Sequence, residues 1–172
     1  IRITPDNKMA ILVTRGNDAT RDKAEDPGAL KVFQYNNGQL SGEASIAPNK
    51  GYGFGPRHLD FHTEKPWVYV SLERQNQLTV YKREGAALQT AAAWTVNTVQ
   101  KPGKSGLRQM VGTVHVHPNG RFVYVANRAD ATVEFQGKQV LGDGENSLAC
   151  FAIDQNSGEP KLIGHADTHG IH

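Results

Sequence analysis

The chain carries one cysteine in its 172 residues, so an internal disulfide is excluded and Cys150, set in a strand-like run, reads as a small core residue. No apolar run reaches membrane-spanning length. Charge imbalance is missing too: 19 Lys and Arg stand against 17 Asp and Glu with no basic stripe, which argues against nucleic acid as a partner. No stretch sustains a 3.6-residue apolar period, so helical solenoids are excluded. Among catalytic fingerprints there is no Gly-x-Ser-x-Gly elbow, no phosphate-binding P-loop and no dinucleotide motif, so a serine nucleophile and nucleotide chemistry have no support.

What is present is one strand pattern written three times. It is clearest in HTEKPWVYVSLE (His62 to Glu73) and HPNGRFVYVANR (His117 to Arg128), with a fainter copy, TPDNKMAILVTR, from Thr4 to Arg15. Each copy opens on a turn segment and continues as a β-branched and aromatic run that reads as a buried strand. A second strand follows each (Leu30 to Tyr35, Leu78 to Lys82, Leu148 to Ile153), then another turn signal. Thr4 and His62 are 58 residues apart and His62 and His117 are 55 apart, so the unit is a strand module. Such modules have two faces that only neighbouring modules can cover, which predicts an all-β fold, a β-propeller, with about three blades at roughly 1–50, 51–106 and 107–168. The middle module parses into an inner strand Arg57 to Phe61, then Trp67 to Leu72, Gln77 to Lys82 and an outer strand between Leu88 and Val96. Leu59, Phe61, Val68, Val70, Val114, Val116, Val123 and Val125 are expected to be buried.

The chain begins on Ile1, without Met, and stops at Thr168 to His172, where the inner strand of a further module is due. It is expected to be part of a longer chain, with further blades or a second copy covering the open strand edges. A cytoplasmic location is expected, with secretion left open because a signal peptide would lie upstream.

Strand direction brings several charged residues to one end of the modules. The start of the first strand and the end of the second meet there, because the two run antiparallel. Arg57 and His58 open an inner strand, Glu73 closes the second strand 16 residues later, and Arg128 holds in the third module the place of Glu73. Arg57 and Glu73 form either a structural ion pair or an anion site, since a planar guanidinium binds carboxylate or phosphate through two hydrogen bonds. His58 and His115 are candidates for orienting a ligand or moving a proton near neutral pH, although His115 aligns with Asp60 and not with His58. His62 and His117 precede turns and read as structural. Two long connections, Gly16 to Ala29 and Ala129 to Ser147, lie at the same end and read as walls or lids over it, or as solvated excursions. The first has six charged residues; the second has enough apolar ones, among them Val133, Phe135, Val140 and Leu141, for an extra hairpin.

Metal-ligand types occur in His115-Val116-His117 and in His165, Asp167, His169 and His172, but none of the spacings is a zinc or iron pattern, so no metal is assigned. Asp143-Gly144-Glu145-Asn146 lacks the alternation of a calcium loop and reads as a turn.

The stretch GPRHLDFHTEKPWVYVSLERQNQLTVY, from Gly55 to Tyr81, resembles the signature blade of the seven-bladed lactonase family, which holds 6-phosphogluconolactonases and carboxymuconate cyclases, and VHVHPNGRFVYVANRAD resembles the next blade. The resemblance covers essentially the whole chain. It implies a seven-bladed propeller with its site at one end of the central channel, and it places His115 beside that site. The implied activity is metal-independent and cofactor-free hydrolysis of a sugar-acid lactone: Glu73 as base, Arg57 and Arg128 for anion binding and oxyanion stabilisation, and His58 or His115 for orientation or proton donation. The catalytic set is thus Glu73, His115 and Arg128, the substrate-binding set Arg57 and His58, and the partner a small anionic lactone or diacid. Cyclisation of a muconate-type diacid is the alternative chemistry. A non-catalytic scaffold of YVTN-type repeats is the alternative of another class.

Overall fold

The computed structural model describes residues 1–102, 108–142 and 144–170. The expected boundary between the second and third modules, Asp143 of the expected turn, and His172 lie outside the described residues. The first sheet runs in the order β1 (Arg2–Ile3), β2 (Met9–Thr14), β3 (Ala29–Asn36) and β4 (Gln39–Ile46). The second is β5 (Pro56–Phe61), β6 (Trp67–Leu72) and β7 (Gln77–Glu84), with β8 (Ala87–Leu88) and β9 (Trp94–Asn97) both paired to β7. The third starts with β10 (Gln109–Val116) and β11 (Phe122–Ala129), leaves the sheet for a hairpin of β12 (Thr132–Phe135) and β13 (Lys138–Leu141), and returns through β14 (Ser147–Ile153) and β15 (Pro160–Asp167). Every pairing is antiparallel and each sheet is a meander, as a propeller blade requires.

The outer strand of the middle blade differs from the expected continuous one. Ala87 and Leu88 close a short hairpin on Glu84 and Arg83 around Gly85 (φ 60°), and pairing resumes only at Trp94. Between them lies the alanine run 91–93, which has little to offer a pleated surface. The connection 129–147 does carry the extra hairpin.

Two apolar clusters occupy the two inter-blade spaces. Met9, Ile11, Leu30 and Val32 of the first blade pack against Leu59, Val68, Val70, Leu72 and Tyr81 of the second. Trp67, Tyr69, Leu78 and Val80 face the other way, onto Val111, Val114, Val123, Val125, Ala149 and Phe151 of the third. Side chains alternate along a strand, so β6 feeds both clusters and is buried at every position. Of the eight residues expected in the core, seven are buried, whereas Val116, at the end of β10, packs only against the margin of the second cluster and stays half-buried. Cys150 is also half-buried and not a core residue, because it points to the face of β14 that the middle blade does not cover.

Polar latches reinforce the second space. Tyr69 Oη donates to the Gly158 carbonyl (2.9 Å) and Trp94 Nε1 to the Ser157 carbonyl (3.2 Å). The His62 ring accepts the backbone N–H groups of Glu64 (3.1 Å) and Lys65 (2.9 Å) at Nδ1, so Nε2 carries the proton and donates to Gly120 O (2.8 Å). His117 Nδ1 accepts from Asn119 N–H (3.2 Å), so both histidines cap the turns that follow them. No helix among the described residues is long and apolar enough to cross a membrane.

Candidate active site

Glu73 is gripped by arginines from all three blades. Arg128 Nη2 (2.7 Å) and Arg57 Nε (3.2 Å) donate to Oε1, and Arg15 Nε donates to Oε2. The Glu73 side chain is 4% exposed while that of Arg57 is 50% exposed. Burial pushes the Glu73 pKa up, but the hydrogen bonds from Arg128 and Arg15 outweigh it and leave the carboxyl below its ordinary value. Glu73 is therefore an anion whose lone pairs already face guanidiniums. Arg15 is the member that sequence reasoning missed. It stands 58 residues before Glu73, as Glu73 stands 55 before Arg128, so the same repeat alignment that found Arg128 points to it.

Beside this cluster lies a cavity of about 250 Å³ lined by Arg57, His58, Gly112, Thr113, Ala126 and Arg128. The two arginines and His58 of the expected site thus share one cavity, and Glu73 lies behind them, outside the lining. His115 is not a lining residue either; its ring centroid is 5.5 Å from that of His58.

His58 owes its placement to the free edge of β10. An innermost strand has a ladder on one side only, and its other backbone groups need partners. The middle blade supplies them: Ser71 Oγ donates to Gly112 O (2.7 Å), His58 Nδ1 meets Val114 at both C=O (3.2 Å) and N–H (3.3 Å), and Asp60 Oδ2 accepts from Val116 N–H (2.9 Å). Burial lowers the His58 pKa, helped by the charges of His115 and Arg2 and opposed by the Val114 bond and by Asp60. Asp60, buried, also pairs with Arg2 of β1, and its Oδ2 lies 4.0 Å from His115 Nδ1. Arg2, Asp60 and His115 occupy one register position in three successive inner strands, a second charged row below the first; only its His115 member was singled out from sequence.

The connection before β3 is tied to the rim. Arg15 Nη2 holds Asp18 (2.8 Å), Arg74 pairs with both Asp18 and Glu25, and Glu25 accepts the Gly53 N–H (2.8 Å). Among the described residues no three His, Cys, Asp or Glu side chains are grouped so as to hold a metal ion. His165 Nε2 instead meets the Thr98 carbonyl (2.7 Å), and His169 is exposed.

Meandering four-stranded blades with a guanidinium-lined cavity where they meet define a β-propeller with a cationic cavity wall. The chain belongs to the lactonase family of 7-bladed β-propellers, whose family model matches residues 1–172. It is 28% identical over 169 residues to the 6-phosphogluconolactonase of Bacillus subtilis (strain 168), covering 97% of this chain and 40% of that one. It is 28% identical over 120 residues to the 6-phosphogluconolactonase of Formosa agariphila, covering 70% of this chain and 29% of that one. The chain thus spans well under half the length of these curated relatives. Among solved structures, the periplasmic gluconolactonase of Pseudomonas aeruginosa superposes with a TM-score of 0.68 at 22% identity over 99% of this chain and 41% of its own. A crystal structure titled a putative 6-phosphogluconolactonase of Bacteroides fragilis gives 0.67 at 22% identity, with the same coverage of both chains. These structural likenesses establish the propeller.

Proposed function

We propose that this chain carries part of the active site of a lactonase that hydrolyses the lactone of a sugar acid, with an anionic, phosphorylated gluconolactone as the preferred substrate. The observation that carries the reading is the cavity wall: Arg57 and Arg128 come from successive blades, share one buried carboxylate and line one space. The guanidiniums of Arg57 and Arg128 on the cavity wall suit a phosphate or a developing oxyanion. The names of the relatives point to the same chemistry. In this reading Arg57 and His58 bind substrate, Arg128 stabilises the oxyanion, and His115 tunes His58 from the channel side. Glu73, expected from sequence to be the base, is better suited to holding the arginines in place, because its oxygens are already committed to them. No metal or organic cofactor is needed for this hydrolysis.

The uncovered faces of the first and third blades are proposed to pack against further blades or a second copy, and the compartment is proposed to be the cytoplasm. The test is a pH-stat assay of the full-length protein on 6-phosphogluconolactone and on gluconolactone. Acid release well above the spontaneous rate, with the higher kcat/KM on the phosphorylated lactone, is expected. Equal rates on both lactones would remove the phosphate assignment, and turnover of a carboxymuconate in place of either lactone would install the cyclase reading.

A further inference from the structure

The cavity needs a group that can accept a proton, and its wall offers few. Arg57 and Arg128 are permanently protonated, the Thr113 hydroxyl is too weak a base, and Gly112 and Ala126 have no polar side chain. Glu73 lies outside the wall with both oxygens engaged. His58 remains. We infer that His58 is the proton-transfer residue of this site, and that the backbone of Val114 fixes which of its nitrogens does the chemistry; the inference rests on the lactonase reading.

The geometry assigns the nitrogens. Val114 presents its carbonyl (3.2 Å) and its N–H (3.3 Å) to the same ring atom, Nδ1, so Nδ1 finds a partner in either tautomer and Nε2 is left over. With Nδ1–H donating to the carbonyl, Nε2 carries the lone pair. Attack would then proceed as the water oxygen bonds to the lactone carbonyl carbon, its proton passes to Nε2, and the carbonyl electron pair moves onto an oxygen facing Arg57 or Arg128. When the carbonyl re-forms, the ring C–O bond breaks and Nε2 returns the proton to the departing oxygen, giving a hydroxyl and a carboxylic acid that ionises in solvent. Throughout, the Val114 carbonyl keeps its bond to Nδ1–H and supports the transient imidazolium. The charged and titratable groups around the ring are His115 from β10, Arg2 from β1, Asp60 from its own strand and, on the same cavity wall, Arg57 and Arg128, and burial together with the charges of His115 and Arg2 keeps the imidazole neutral near pH 7.

The substitution His58→Asn tests this, because the asparagine amide falls where Nδ1 was and can still pair with both backbone groups of Val114. In the full-length protein kcat should fall on the order of a hundredfold or more, by much more than KM rises, with the thermal midpoint little changed. The acid limb of the wild-type kcat/KM profile, with its midpoint below the usual histidine value, should disappear. Retention of kcat within about threefold, or persistence of the acid limb, would overturn the assignment. Should the variant fail to fold, NMR of the wild type decides: the His58 ring signals should titrate below pH 6.5 and shift on adding gluconate, the reaction product of the simpler lactone. Ring signals indifferent to gluconate would reject the proposal. A wild type inactive on both lactones would be a different failure, removing the hydrolase reading itself and this assignment with it.

Discussion

The middle and third blades begin their second strands alike, WVYVSL in β6 and FVYVAN in β11, and end in different surroundings. Every residue of β6 is buried, while β11 alternates between buried and half-buried positions. The difference is one neighbour: β6 packs the first blade with Val68 and Val70 and the third with Trp67 and Tyr69, whereas β11 has a described partner only on the side of Val123 and Val125. Phe122 and Tyr124, on its other side, are as apolar as their counterparts in β6 and only half covered. The outer face of the third blade thus carries the kind of side chains that a neighbouring blade covers in β6.

The largest expected effect sharpens that contrast. Tyr69→Ala should cost about 4 kcal/mol in urea unfolding, because it opens a cavity at a fully buried ring and orphans the Gly158 carbonyl, while Tyr124→Ala in the third blade should cost about 1 kcal/mol or less. Equal losses would mean the two blades are covered alike. Charge follows next, since the middle blade supplies the carboxylate and its neighbours two of the three cations on it. Glu73→Gln should destabilise the fold by about 3 kcal/mol by removing the buried carboxylate that three guanidiniums share, and should raise KM for the lactone by loosening them. A variant as stable as the wild type would break the view of Glu73 as the inter-blade anchor. Gly158→Ala, with its φ of +79° and a new Cβ 2.6 Å from the Trp67 ring, should cost about 2 kcal/mol and broaden the Trp67 signal in NMR spectra.

The smallest and broadest effect is that of pH. His58 and His62, both in the middle blade, have folded pKa values below 6.5, so the unfolded chain binds more protons as pH falls through 6.5 and stability declines from there toward the folded values. Glu73 has a folded pKa below 4.5, so its contribution is present above that value and is lost as pH drops through the folded one. Hydrogen exchange followed between pH 7 and 4 should therefore show protection failing in β5 and β6 before β14. Loss that starts in β14 would reverse the order.

The blades were legible in sequence because β-branched and aromatic runs have no other use, and β6 has the same limits in both readings. The divided outer strand was not, since alanines 91–93 carry no positive signal for leaving a sheet. At the site, repeat spacing brought Arg57, Glu73 and Arg128 together, and the same spacing applied to Arg15 would have completed the cluster. What spacing cannot rank is burial. It placed Glu73 at the rim without saying that its oxygens would be consumed there, and it aligned Asp60 with His115 but gave it no role, because only the free edge of β10 reveals why a carboxylate is needed.

The alternation of sign from blade to blade has a consequence of parity. Arg15, Glu73 and Arg128 read plus, minus, plus at one level, and Arg2 and Asp60 start the same sequence one level down. A closed circle with an odd number of members cannot alternate throughout, and this family builds circles of seven. Somewhere on each level two like charges must become neighbours, or an uncharged residue must interrupt the order.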